Sequence, residues 1–150
     1  MPENQSLEGI VSILEKEKET ARIFLEILHK EEEALIQERV NDLDRIVSEK
    51  HKIITELEAI NVQRSQYLLS QGYPASKVGM QQWLTKYADD IELHELWNQL
   101  IILAKQANQI NQINGRAILL QLQYNQRSYL ALQSAAGNIF FYGPKGQAYI

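Results

Sequence analysis

The chain has 150 residues, no cysteine and a net charge of −4, with acidic and basic groups intermixed along its first two-thirds. That length suits one domain with a real core. The missing cysteines exclude disulfides, thiol nucleophiles and cysteine-held metals, and the absence of a clustered basic face argues against a nucleic-acid binder.

No signal-peptide pattern opens the sequence, and no run of about eighteen apolar residues is long enough to span a membrane. A soluble, cytoplasmic, nearly all-helical protein is the expectation. Three prolines and seven glycines leave long helices permitted almost everywhere.

From Ser6 to about Glu38, Leu7, Leu14, Ala21, Leu28 and Leu35 recur every seventh residue. Val11 and Leu25 stand at the intermediate position, and Ile10 and Phe24 widen the stripe. This predicts one buried seam on a helix about 50 Å long, at ~1.5 Å per residue. Lys18 and Glu32 interrupt the intermediate position, where long aliphatic stems cover the seam. The charged runs Glu15–Glu19 and Lys30–Glu33 read as a solvated outer face with weak i,i+4 pairs.

A break follows at Val40-Asn41-Asp42-Leu43-Asp44. Asn41 reads as the cap of the second helix, with Asp42 and Asp44 near the positive end of its dipole. Leu43, Ile46, Ile53, Leu57, Ile60 and Tyr67 mark the buried side of that helix to about Ser70, with Lys50 and Arg64 in the missing steps. Gly72 is the natural left-handed terminator and Pro74 prevents resumption. Residues 1–71 thus form an antiparallel helical hairpin, neither half of which is stable alone.

Residues 72–88 make the connection. Ser76 starts a short helix in which Trp83, Leu84 and Tyr87 form an apolar plug, and Gly79 weakens it. Asp89 with Glu92 gives a capping box, with Asp in place of Ser or Thr. The third long helix then covers 89–136 and is near 70 Å long, at ~1.5 Å per residue. Leu93, Leu96, Trp97, Leu100, Ile101, Leu103, Ala104 and Ala107 pack its first half into the hairpin. The second half overhangs the hairpin or bends, with Gly115, at ~1 kcal/mol against alanine, as the bend point. Gly137-Asn138 ends the helix and 137–150 is an irregular tail. The fold expected is all-α: a single domain over 1–150, an antiparallel bundle of three long helices with a short connecting helix and an irregular C-terminal tail.

Catalysis has almost no foothold. There is no G-x-S-x-G elbow, and Gly143-Pro144-Lys145-Gly146 lacks the spacing and following helix of a phosphate loop. His29, His51 and His94 lie far apart; Glu26 and His29 have E-x-x-H spacing, but the second copy that a di-iron bundle needs is missing. The expectation is a non-enzyme without metal or cofactor.

The third helix holds a more telling pattern. Asn108, Asn111 and Asn114 recur every third residue, and Ile118, Leu122, Tyr129 and Leu132 continue on nearly the same side. A stripe that begins in amides and turns apolar suits a partner helix; the alternative is the last helix of a bundle with a register-setting asparagine or two. Ile139-Phe140-Phe141-Tyr142 either folds back onto the bundle or serves a partner.

A long hairpin, a final helix carrying Asn114-Gly115, and the run Tyr142 to Gln147 (Tyr-Gly-Pro-x-Gly-Gln) together resemble the FlgN family of flagellar type III export chaperones. The specific part is Asn108 to Gln147. The resemblance implies a cytoplasmic chaperone that binds helical terminal segments of the hook-associated proteins of the hook–filament junction. It would prevent their premature assembly and deliver them to the flagellar export gate or its associated ATPase components. The family's binding region maps onto Asn108, Asn111, Asn114, Gly115, Ile118, Leu122, Tyr129, Leu132 and Tyr142. The rival expectation is a self-associating coiled-coil structural or adaptor protein, and whether the free chain is a homo-oligomer stays open.

Overall fold

The wide apolar stripe of the first helix is explained by its place in the molecule: it has neighbours on two sides. A computed structural model describes residues 2–124, with side chains from Leu7 to Gln121. It contains α1 (Pro2–Ile36), α2 (Val40–Ser70), α3 (Lys77–Lys86) and α4 (Ile91–Tyr124), and no strand among the described residues. Helices α2 and α4 both pack along α1. A central helix needs a broader apolar face than a two-helix seam, and Ile10 and Phe24 are accordingly as fully buried as Leu14 and Leu28. The architecture is an all-α bundle of three long helices with a short connecting helix. The tail from 137 and the end of the third helix lie outside the described residues.

Helix α1 ends in a Schellman-type closure, with Arg39 N–H donating to Ala34 O at 2.9 Å and Glu38 N–H to Leu35 O at 3.3 Å. The left-handed position of that closure, usually glycine, is held by Glu38 at φ 56°. The tight closure corrects the cap expected at Asn41. Helix α2 begins two residues earlier, at Val40 behind Arg39, and the cap residue makes no side-chain hydrogen bond. Gly72 terminates α2 as expected, at φ 85°, with Gly72 N–H on Leu69 O at 3.1 Å and Tyr73 N–H on Leu68 O at 2.9 Å.

Ser76 caps α3, its hydroxyl accepting from Gly79 N–H at 3.1 Å. Gly79 is required rather than merely tolerated, because a Cβ there would stand 1.8 Å from the Pro74 carbonyl oxygen. Trp83 and Leu84 are buried with Ile10, Leu14, Leu68, Met80, Leu93 and Leu100, and Tyr87 packs against them half-buried. Tyr67 meets Trp83 edge-on, with ring centroids 5.7 Å apart. The cap of α4 is Asp90, whose carboxylate accepts from Leu93 N–H at 3.1 Å, and not Asp89. His94 ties the two short ends together. Its Nε2 lies 3.1 Å from the carbonyls of both Leu84 and Tyr87, so that nitrogen carries the proton.

Helix α4 runs parallel to α1. Lys18 reaches Gln99 at 2.6 Å, Asn114 reaches the Leu28 carbonyl at 3.0 Å, and Gln121 the Leu35 carbonyl at 3.3 Å. It continues helically through Gly115 to Tyr124. Because α4 starts level with the first turns of α1, it stays seated on the hairpin through Gln121, and the overhang expected after Gly115 does not occur within the described residues.

Candidate functional site

Where α1, α2 and the later half of α4 meet, four polar side chains are buried together. Glu31 comes from α1, Lys50 from α2, and Asn111 and Asn114 from α4; none is more than 8% exposed. The Lys50 ammonium donates to both Glu31 oxygens at 2.9 and 2.8 Å and to Asn111 Oδ1 at 3.3 Å. Asn114 Nδ2 donates to Glu31 Oε1 at 2.9 Å and to the Leu28 carbonyl. Leu28, Ile53, Ile54, Leu57 and Ala107 belong to the surrounding apolar cluster. Burial lowers the Lys50 pKa to about 8, against the opposing pull of Glu31.

A second inter-helix pair sits two heptads away along both helices. Arg64 donates to Glu17 at 3.0 and 3.2 Å and to Asn61 at 2.9 Å, and lies over the Trp97 ring at 5.3 Å. Burial pushes the Glu17 carboxyl up, opposed by the Arg64 charge and hydrogen bond. Glu17 and Glu31 stand as far apart on α1 as Lys50 and Arg64 do on α2. Both pairs therefore satisfy one antiparallel register, the best-attested use of buried polar groups in helical assemblies. The charged runs of α1 are thus not wholly solvated: each contributes one buried carboxylate. Lys50 and Arg64, read as gaps in the α2 stripe, identify the two partners through that shared spacing.

The residues expected to meet a partner separate into three groups. Asn111 and Asn114 turn inward and are engaged in the polar joint. Ile118 is half-buried against the same cluster, while Asn108 is half-buried and Gly115 exposed. Tyr129, Leu132 and Tyr142 lie outside the described residues, as does the Leu122 side chain. Sequence reading missed the exposed apolar groups of this half of α4: Ile113, Leu119 and Leu120 are each about half exposed, at 47%, 56% and 53%. Their signal was available, since Ile113 and Leu120 are one heptad apart.

Among the described residues no group of three histidine or carboxylate side chains is arranged to hold a metal, and no helix is long and apolar enough to cross a membrane. What the arrangement offers is recognition: a helix seated partly by polar contacts, with apolar side chains left on its outer face.

The family model described as FlgN protein matches residues 1–150. Among solved structures, one described as a flagella synthesis protein FlgN from Pseudomonas aeruginosa has the same fold, with a TM-score of 0.64 at 22% identity. The similarity covers 82% of this chain and 94% of that one. No curated protein matches the sequence.

Proposed function

The chain belongs to the FlgN family, and from that premise we propose that it serves flagella synthesis as a cytoplasmic export chaperone. Its cargo is the helical terminal segment of hook-associated proteins of the hook–filament junction. It keeps them from assembling early and hands them to the flagellar type III export apparatus, at the gate or its ATPase components. No enzymatic step is involved.

The observation that carries this reading is the apolar outer face of α4 after Asn108, where Ile113, Leu119 and Leu120 are exposed on a chain of net charge −4. Exposed apolar groups repeated along one helix of such a chain suit an interaction site, and an amphipathic helix is the natural occupant of a helical face. Asn108, Gly115, Ile118, Leu122, Tyr129, Leu132 and Tyr142 supply the surface. Asn111 and Asn114 act beneath it by fixing how this half of α4 sits on the hairpin.

Light scattering of the purified chain with and without a hook-associated protein tests the proposal. A small free species and a defined mixed complex are expected. A stable oligomer that ignores the hook-associated protein would favour the self-associating scaffold instead.

A further inference from the structure

A second surface lies on the earlier half of α4. Helices α2 and α4 both pack on α1 and touch each other through side chains, Lys50 on Asn111 and Arg64 on Trp97. Their backbones stay further apart than either is from α1, which leaves a side of the bundle where a fourth helix could pack. A groove of about 620 Å³ occupies that side, closed at one end by the start of α3. Leu68, Met80, Trp97, Ile101 and Ala104 give it an apolar floor. On α4 its residues Trp97, Ile101, Ala104 and Asn108 follow the four-three-four spacing of one helical face. They span about 17 Å at ~1.5 Å per residue, room for three turns of a partner helix.

The charge of the groove is unlike that of the chain. Its ionisable lining residues are Arg64, Lys77 and Lys105, all cations, with no carboxylate among them, in a protein of net charge −4. Arg64 is committed to Glu17 and Asn61. Lys77 and Lys105 are exposed and have no hydrogen-bond or ion-pair partner among the described residues. Two unpaired ammonium groups on the rim of an apolar trench complement carboxylates that flank an apolar stripe.

We propose that the α2–α3–α4 groove is a docking site for an amphipathic helix whose apolar stripe is flanked by acidic residues, sharing only Asn108 with the surface on the later half of α4. The apolar stripe seats on Trp97, Ile101 and Ala104, and the flanking carboxylates meet Lys77 and Lys105. The inference does not depend on the chaperone reading, because nothing in it requires a hook-associated cargo.

The test uses the full chain and two synthetic 18-residue helical peptides with the same leucine heptad, one flanked by glutamates and one by lysines. Binding is followed by anisotropy of a dye on the peptide. The glutamate peptide should bind at least about tenfold more tightly, with the difference shrinking as salt rises. The Lys77→Glu/Lys105→Glu variant, altered only at exposed positions, should reverse the preference, and Ile101→Asp should weaken both peptides. Equal binding of the two peptides, indifference to the charge reversal, or no binding at all would overturn the proposal. So would sedimentation showing a dimer of the free chain that Ile101→Asp dissolves, since the occupant would then be a second copy. Neither peptide contains a hook-associated sequence, so failure here leaves the light-scattering test of the chaperone untouched.

Discussion

Replacing Lys50 by methionine removes the cation that, alone among the described residues, is bonded to Glu31, a residue 1% exposed. The carboxylate would keep Asn114 at 2.9 Å, but one neutral donor does not offset a buried charge. Breaking a buried pair by deleting one partner costs about 3–5 kcal/mol, a fifth or more of the ~5–15 kcal/mol that holds a typical domain folded. Glu31→Leu combined with Lys50→Met has a different outcome. Replacing a whole buried pair by apolar groups is neutral to stabilising by about 1–4 kcal/mol. Against that, Asn111 loses its 3.3 Å contact with Lys50, and one buried unsatisfied group costs about 1–3 kcal/mol. Asn114 retains the Leu28 carbonyl at 3.0 Å. The two contributions nearly cancel, so the double variant should lie within about 1 kcal/mol of the parent, although Lys50→Met alone is strongly destabilised. Urea melts followed by circular dichroism measure both variants. A single variant losing under ~0.5 kcal/mol, or a double variant as unstable as the single, would refute the idea of a dry joint.

Other perturbations test neighbouring parts of the account. Lys50 holds its proton up to about pH 8 in the folded chain, against an ordinary 10.5; the unfolded chain therefore binds more protons between those values, and stability from this group rises with pH across that window. The Glu31→Leu/Lys50→Met variant, melted in parallel from pH 7 to 10.5, should lack that rise. Glu38→Gly should raise stability by up to ~1 kcal/mol in the same assay, since it relieves a left-handed residue at φ 56° while adding some glycine entropy. Gly79→Ala should cost about 1–3 kcal/mol by overpacking, because its Cβ would collide with the Pro74 carbonyl; an unchanged melt would show that the Pro74 turn gives way freely.

The helices, their order and most of their ends are legible in the residues because they rest on local chemistry: the heptad of α1, Gly72 after α2, Ser76 before α3. The polar joint is harder to read. Glu17 and Glu31 stand in runs of alternating charge whose i,i+4 pattern looks the same whether a third helix covers it or not. Only the equal spacing of Glu17 and Glu31 on one helix and of Lys50 and Arg64 on the other gives the pairing away. The asparagine stripe misleads for a geometric reason. Each three-residue step falls about 60° short of a full helical turn, so Asn108 and Asn114 are about 120° apart. One borders the open groove and the other enters the joint. The exposed Ile113, Leu119 and Leu120 are invisible as a surface until the side that faces α1 is known.

Calorimetric titration of the chain with a purified helical terminal fragment of a hook-associated protein tests the central claim most directly. The parent chain should bind with a defined stoichiometry. The Leu122→Ser/Tyr129→Ser/Leu132→Ser variant should bind on the order of 100-fold more weakly or worse, as expected when a few apolar anchors carry an interface. Its melting temperature should match the parent's. Parental affinity in that variant would contradict the account and move the cargo site off the C-terminal third of the chain.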